Sequence, residues 1–332
     1  MTSTIDKNKK QELGIYYTPE MVVDFIYSIL NILKKKEDGK NQRWENRKPR
    51  AHYPSVIDPA CGEGIFLKKA IESGFTGYHP VYKVPYIFGV DIDCTVVEQW
   101  KKLSILDLFK GNREIMKKHF FGQNGLLELP DHKLIYKKKE DGLFRFDAVV
   151  GNPPYGGVGL GETELTDNLI IQLAKFEVLP ENVKINLLIV NSQADLFNSN
   201  KQLSVKPDAK QRIKNFSIEI LFLERFIQLT KPGGWIAIII PDGILANSNL
   251  HYVREFIAEK AKVLAIISLP RNTFKLAGTS AKTSIIFLQK YQEDNKQDMN
   301  YPVFLASINE LEKKYFEEII NSYNNFYNHD KL

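Results

Sequence analysis

With 332 residues, 43% of them hydrophobic and 26% charged, the chain has the composition of a globular protein large enough for one sizeable domain or two small ones. Two cysteines exclude a disulfide framework and, with no signal peptide, point to the reducing cytoplasm; no apolar run approaches the roughly 20 residues of a membrane helix, and the histidines and cysteines lack zinc-ligand spacing. A net charge of +5 allows a nucleic-acid partner without requiring one.

Residues 1–13 are polar and read as a flexible N-terminus. An amphipathic helix is predicted over 21–33, with Pro19 near its start, followed by a charged loop over 34–54. Strands and helices then alternate. A short strand over 55–58 leads through a glycine turn into a helix over 65–73. Further strands are predicted over 86–90, 133–136 (weakly) and 147–150. A helix over 216–230 is closed by Lys231-Pro232-Gly233-Gly234 and followed by a buried strand over 235–240, a helix over 253–260 and two strands over 263–269 and 284–288. Such alternation predicts a mainly parallel sheet covered on both faces. The last two strands have no convincing helix between them, so they are expected to pair as a hairpin, which makes one strand antiparallel. The polar, basic stretch 196–215 reads as a surface loop or insertion, and the tail 293–332 carries one helical pattern around 311–320.

Asp58-Pro59-Ala60-Cys61-Gly62-Glu63-Gly64 lies between a strand and a helix. Glycines there let the backbone turn tightly and approach a ligand, and the following helix offers free N–H groups to an anionic group. Asp58 sits at the carboxyl end of its strand, where ligands bind in open α/β sheets. The loop lacks the third glycine of the dinucleotide fingerprint, which disfavours a nicotinamide cofactor. The next strand ends in Gly89-Val90-Asp91-Ile92-Asp93. Asp91 is placed to accept hydrogen bonds from ribose hydroxyls, and Asp93 suits a capping role better.

The third feature is the run Asn152-Pro153-Pro154-Tyr155 after an apolar strand. Two prolines stiffen the backbone, so an asparagine oxygen and a rigid carbonyl become two acceptors in a fixed geometry. An amino group conjugated to a ring needs such a pair. Accepting both of its N–H protons makes the nitrogen more tetrahedral and frees its lone pair for attack on an activated methyl group. No strong base is required, and positioning supplies much of the rate. Tyr155 adds an aromatic face on which a flipped base can stack.

These residues resemble the DNA adenine-N6 methyltransferases of the gamma group, above all the modification subunits of type I restriction systems. The resemblance spans residues 14–290. Gly14-Ile15-Tyr16-Tyr17-Thr18-Pro19-Glu20 is similar to the family's N-terminal cofactor motif, and the run from Asp58 to Gly64 to its glycine loop. The resemblance implies S-adenosyl-L-methionine as cofactor, contacted by Tyr17, Thr18, Pro19, Asp58, Pro59, Ala60, Gly62, Gly64, Phe66, Asp91 and Ile92. Asp141 and Gly142 would lie at the cofactor adenine. Asn152, Pro153, Pro154 and Tyr155 would be catalytic, and Tyr155 and Phe274 would pack against the target base. No metal is implied.

The expected fold is therefore a class I S-adenosylmethionine-dependent methyltransferase: a Rossmann-like seven-stranded, mainly parallel sheet with helices on both faces and an antiparallel last strand, over residues 14–292. Two alternatives share some of these features. Protein glutamine-N5 methyltransferases also carry Asn-Pro-Pro-Tyr, but lack the upstream Tyr-Thr-Pro element and this Leu-Pro…Phe…Thr-Ser-Ile-Ile hairpin. A non-catalytic scaffold that binds the cofactor would not need Asn152 to Tyr155. The resemblance implies double-stranded DNA as substrate, a separate specificity subunit or target-recognition domain, a possible restriction subunit, and no membrane. Candidate phosphate contacts are the stretches 156–161 and 196–215.

Overall fold

The computed structural model describes residues 18–44, 54–78, 83–93, 95–96, 100, 105–130, 145–155, 160, 165–191, 202–275, 281–292 and 300–329. The amino-terminal helix α1 (Glu20–Trp44) begins where Pro19 can only start a helix; the Pro19 carbonyl takes the Val22 N–H at 2.9 Å. Val22, Val23, Phe25, Ile26, Ile29, Leu30 and Leu33 form its buried stripe. The helix continues past residue 33, where the sequence reads as a loop. Lysine and glutamate are good helix formers, so their charge marks solvent exposure rather than a break. Lys34 donates to the Phe75 carbonyl at 2.8 Å, and the Lys36 ammonium sits 4.0 Å over the Tyr327 ring.

Strand β1 (Val56–Asp58) feeds helix α2 (Ile65–Glu72), and strand β2 (Ile87–Asp91) follows. Short helices α3 (Ile105–Leu108) and α4 (Arg113–Lys117) lead into edge strand β3 (Phe120–Gly122), which pairs in parallel with β2. The third strand expected at 133–136 lies outside the described residues. A three-residue strand offers almost no alternation to read, and β3 is not visible in the sequence for that reason.

Strand β4 (Phe146–Gly151) is followed by helices α5 (Asp167–Leu173) and α6 (Glu181–Lys184) and by a separate antiparallel ribbon of β5 (Leu188–Asn191) and β6 (Gln202–Val205). Helix α7 (Ala209–Ile213) comes next. The stretch expected as a loop over 196–215 is thus structured from residue 202 onward, with Ala209 and Ile213 completely buried. Helix α8 (Ile218–Leu229) runs directly into strand β7 (Thr230–Pro241). The expected turn Lys231-Pro232-Gly233-Gly234 is a bulge instead: Phe146 pairs with Thr230, but Ala148 pairs with Trp235.

Helices α9 (Gly243–Ala246) and α10 (His251–Lys260) precede strands β8 (Ala261–Ser268) and β9 (Thr283–Lys290), which form the expected antiparallel hairpin. The tail adds strand β10 (Phe304–Ser307), parallel to β8, and helix α11 (Lys313–His329). Among the described residues the main sheet therefore has eight strands rather than seven, in the order β10-β8-β9-β7-β4-β1-β2-β3, and of these β9 runs against the others. Helix α11 packs on α1, with the Phe25 and Phe316 rings 5.3 Å apart.

Alternation along β7 divides the core. Ile236, Ile238 and Ile240 join α8 and α10 on one face; Trp235, Ala237 and Ile239 join α1, α2 and α11 on the other. Strand order reverses at β1, whose neighbours are β2 and β4. In open α/β sheets ligands bind at the carboxyl edge where the strand order reverses.

Candidate active site

The loop after β1 is built around two positive-φ glycines, Gly62 at 48° and Gly64 at 82°. A side chain at Gly64 would meet Ile105 at 2.7 Å and the Trp100 indole at 2.9 Å, so only glycine lets this turn close on the layer behind it. Gly62 is the opposite case. No atom stands within 4 Å of where its Cβ would be, so the backbone there faces open space. The Gly62 N–H donates to Asp91 Oδ2 at 2.8 Å, and Trp100 Nε1 donates to the Gly62 carbonyl at 3.3 Å. The loop between β1 and α2 is thereby tied to the end of β2. Nothing in the sequence around Trp100 marks that contact.

Asp58 closes β1. Its Oδ1 accepts the Ala60 N–H at 3.0 Å. Gly151, at the end of β4, packs so close that a Cβ there would stand 2.5 Å from that oxygen. Asp58 therefore lies between the start of its own loop and the end of β4. Burial pushes its carboxyl up to about 8; the neighbouring Asp91 carboxylate adds to the rise and the Ala60 N–H opposes it. Asp91 is also raised by burial, against the Asp93 and Gly62 N–H groups that it accepts. The Asp93 side chain turns away and accepts from Thr95 N and Oγ1 at 2.8 and 2.6 Å. Among the described residues, no lysine or arginine pairs with Asp58 or Asp91. Two inward acidic side chains with no described cation beside them, next to an open glycine backbone, fit a cofactor that carries a sulfonium and an ammonium group, whose charge would favour ionisation of Asp58. Ile92 follows Asp91 with 48% of its surface exposed, so it presents an apolar face beside that carboxylate.

Asn152 leaves the end of β4 and donates from Nδ2 to Thr18 Oγ1 at 3.2 Å, across 134 positions of sequence. Pro153 is buried and Pro154 half-buried. The Tyr155 and Phe274 rings meet edge-to-face at 6.2 Å, and both are closed off from solvent. Two expected aromatic contacts of a target base thus touch each other here. Phe66, expected at the cofactor, is buried among α1 and α2 residues, and its carbonyl accepts the Tyr27 hydroxyl at 2.8 Å. Its side chain serves packing. Thr18, Asp58, Pro59, Ala60, Gly62, Gly64, Asp91, Ile92 and Asn152 gather along the carboxyl edge of β1, β2 and β4. Tyr17, Asp141 and Gly142 lie outside the described residues, as do most of 156–161.

Comparison with known proteins bears on the family and the fold. The sequence profile of the family described as N-6 DNA Methylase matches residues 2–191 and 190–331. A putative class I S-adenosylmethionine-dependent methyltransferase from Listeria monocytogenes superposes with a TM-score of 0.54 at 22% identity, over 93% of this chain and 71% of its own. A modification subunit of a putative type I restriction enzyme from Vibrio vulnificus gives 0.52 at 18% identity, over 93% and 53%. These likenesses show the class I methyltransferase fold. "Defense against restriction protein B" of Escherichia phage P1 is 33% identical over 70 residues, which is 21% of this chain and 3% of that protein. The chain spans a small part of the phage protein and about half of the type I subunit.

Proposed function

The chain belongs to the N-6 DNA methylase family, and from that premise we propose that it transfers a methyl group from S-adenosyl-L-methionine to the N6 amino group of an adenine flipped out of duplex DNA, as the modification component of a restriction-modification system. The observation that carries this reading is Asn152 at the end of β4, next in sequence to Gly151, which packs against the buried Asp58 side chain, and itself hydrogen-bonded to Thr18. The cofactor, when bound, supplies a methyl group on a positively charged sulfur.

The residues of the chain do the rest. Asp58 and the glycine loop hold the cationic end of the cofactor, Asp91 accepts from the ribose hydroxyls, and Ile92 packs against the cofactor adenine. Each Asp91 oxygen already takes one backbone N–H and has a second lone pair for a ligand hydroxyl. Asn152 Oδ1 and the Pro153 carbonyl accept hydrogen bonds from the two N–H groups of the target amine, which draws its lone pair out of conjugation; the C–N bond would form as the cofactor's C–S bond breaks, and the surplus proton on the nitrogen would pass to water. Tyr155 and Phe274 part to admit the base, since a base in the stack cannot reach the pocket. Sequence recognition and most of the phosphate contacts come from a specificity subunit or a further domain, in keeping with a net charge of only +5.

Modification-sensitive sequencing of DNA from cells that express this chain together with its neighbouring gene products tests the reading. N6-methyladenine at a fixed sequence is expected; DNA without added N6-methyladenine would overturn it. Asp91→Ala is expected to weaken cofactor binding about tenfold to a hundredfold, the scale of a lost hydrogen bond to a charged acceptor. Titration calorimetry reads this directly, and an unchanged Kd would move the ribose contact elsewhere.

A further inference from the structure

We propose that Arg271 and Lys275 hold the backbone phosphates that flank the flipped adenine; this rests on the base-flipping reading given above. A base that leaves the stack stays tied through its sugar to a phosphate on either side, so a pocket for the base calls for cations at its mouth. The Tyr155 and Phe274 rings, 6.2 Å apart and both buried, mark the inner end of that pocket. The turn that carries Phe274 follows β8 at the carboxyl edge of the sheet, the edge at which Asn152 leaves β4.

This turn sorts its side chains. The Thr273 N–H and Oγ1 both donate to the Pro270 carbonyl, at 3.0 and 2.6 Å, and the Lys275 N–H donates to the Asn272 carbonyl at 3.1 Å. Thr273 and Phe274 are buried, whereas Arg271, Asn272 and Lys275 are exposed. Among the described residues, no acidic side chain pairs with Arg271 or Lys275. The charge is unopposed along the chain as well: from Ala261 to Gln292 there are five cationic residues and no aspartate or glutamate. Of the five, Lys262 and Lys290 lie at the opposite edge, where β8 begins and β9 ends, and Lys282 stands 3.6 Å from Asp242. Arg271 and Lys275 remain, one on each side of Phe274 in sequence. An ordinary solvated surface intersperses both signs. Two cations without an acidic partner, beside a buried aromatic pair, fit an anion held next to a base. The guanidinium offers a planar fork to phosphate oxygens, and the ammonium adds a point charge.

The double variant Arg271→Gln/Lys275→Gln removes both charges and keeps long polar side chains. Fluorescence anisotropy of a labelled duplex with one unpaired adenine, titrated with the chain at several salt concentrations, reads the contact. An unpaired base costs less to flip, so this probe brings its flanking phosphates to the pocket. Affinity is expected to fall on the order of tenfold in the double variant, and the slope of log K against log salt to flatten by about one for each cation removed. Neutral methylphosphonates in place of the two flanking phosphates should weaken binding by the wild type and leave the double variant unaffected. Lys117→Gln/Lys118→Gln removes the same charge beside the start of β3, at the amino edge, and should keep the wild-type affinity and slope. An equal loss in that control would reduce the effect to net charge. An unchanged slope in Arg271→Gln/Lys275→Gln, a wild type indifferent to the methylphosphonates, or a wild type that does not bind the probe at low salt would each overturn the contacts. Modification-sensitive sequencing of cells that express each chain keeps this apart from the reading of function. N6-methyladenine made by the wild type, with binding unchanged in the double variant, strikes the phosphate contacts alone. Charge-dependent binding without N6-methyladenine strikes the methyl transfer and leaves the contacts standing.

Discussion

Asn152→Ala is expected to leave cofactor binding within about threefold of wild type and to lower methyl transfer by about a hundredfold to a thousandfold, the scale of removing one preorganised hydrogen-bonding group from a reacting centre. The amino group of adenine is a poor nucleophile because its lone pair is spread into the ring. Alanine offers no acceptor, so the nitrogen stays planar and the lone pair stays in conjugation. The cofactor contacts assigned to Asp58, Gly62 and Asp91 belong to different loops and do not pass through the Asn152 side chain. Asn152 is half-buried, and the loss of its hydrogen bond to Thr18 costs little stability at such a site. Titration calorimetry and transfer of a labelled methyl group measure the two quantities separately. Wild-type turnover in the variant would sink the mechanism.

The second large effect is expected at Asp58. The unfolded chain releases this proton near the ordinary carboxylate value of about 4, whereas burial holds it in the folded chain up to about 8. Between those values the folded state binds more protons than the unfolded state. The contribution of Asp58 to stability is therefore full below about pH 4, falls as the pH rises, and is lost once the folded carboxyl ionises near pH 8. Asp58→Asn keeps an oxygen for the Ala60 N–H and carries no charge to bury. Relative to wild type it should stabilise the cofactor-free chain at pH 9, with a Tm gain on the order of 5 °C, and change little at pH 4. The same variant should lose cofactor affinity, because the ionised carboxylate is what attracts the sulfonium and ammonium groups. Cofactor affinity of the wild type should rise with pH through about 8 for that reason, and the rise should be absent from the variant. Thermal melts at the two pH values, with and without cofactor, check both halves. A variant less stable than wild type at pH 9 would mean that Asp58 serves the fold rather than the ligand.

Much of this was legible in the sequence because it is local. The Asp58 to Gly64 turn, the acid at the end of β2 and the Asn-Pro-Pro-Tyr run are each contiguous, and each sits where a strand must end. The hairpin of β8 and β9 was legible too, since the segment between them has no helical pattern. Features that depend on distant partners were not. The bulge at Lys231 to Gly234 carries turn residues, yet β4 pairs with Thr230 before it and Trp235 after it and so holds it in the sheet. The charged end of α1 reads as a loop until the Phe75 and Tyr327 carbonyls are there to receive its lysines. Strand β10 is four residues long, and it becomes a strand only because the edge of β8 offers it hydrogen bonds.

The candidate site divides in the same way. The sequence by itself determined which chemical groups are present, namely two carboxylates, a glycine turn and an amide between an apolar strand and two prolines, because residue type and neighbours decide those. Only the tertiary structure decided what surrounds them. Asp58 is raised to about 8 because the core closes over it, and Asn152 meets the hydroxyl of Thr18 from 134 residues away. Burial and hydrogen-bond partners are properties of the folded arrangement, and they set a carboxyl's charge and the company an amide keeps.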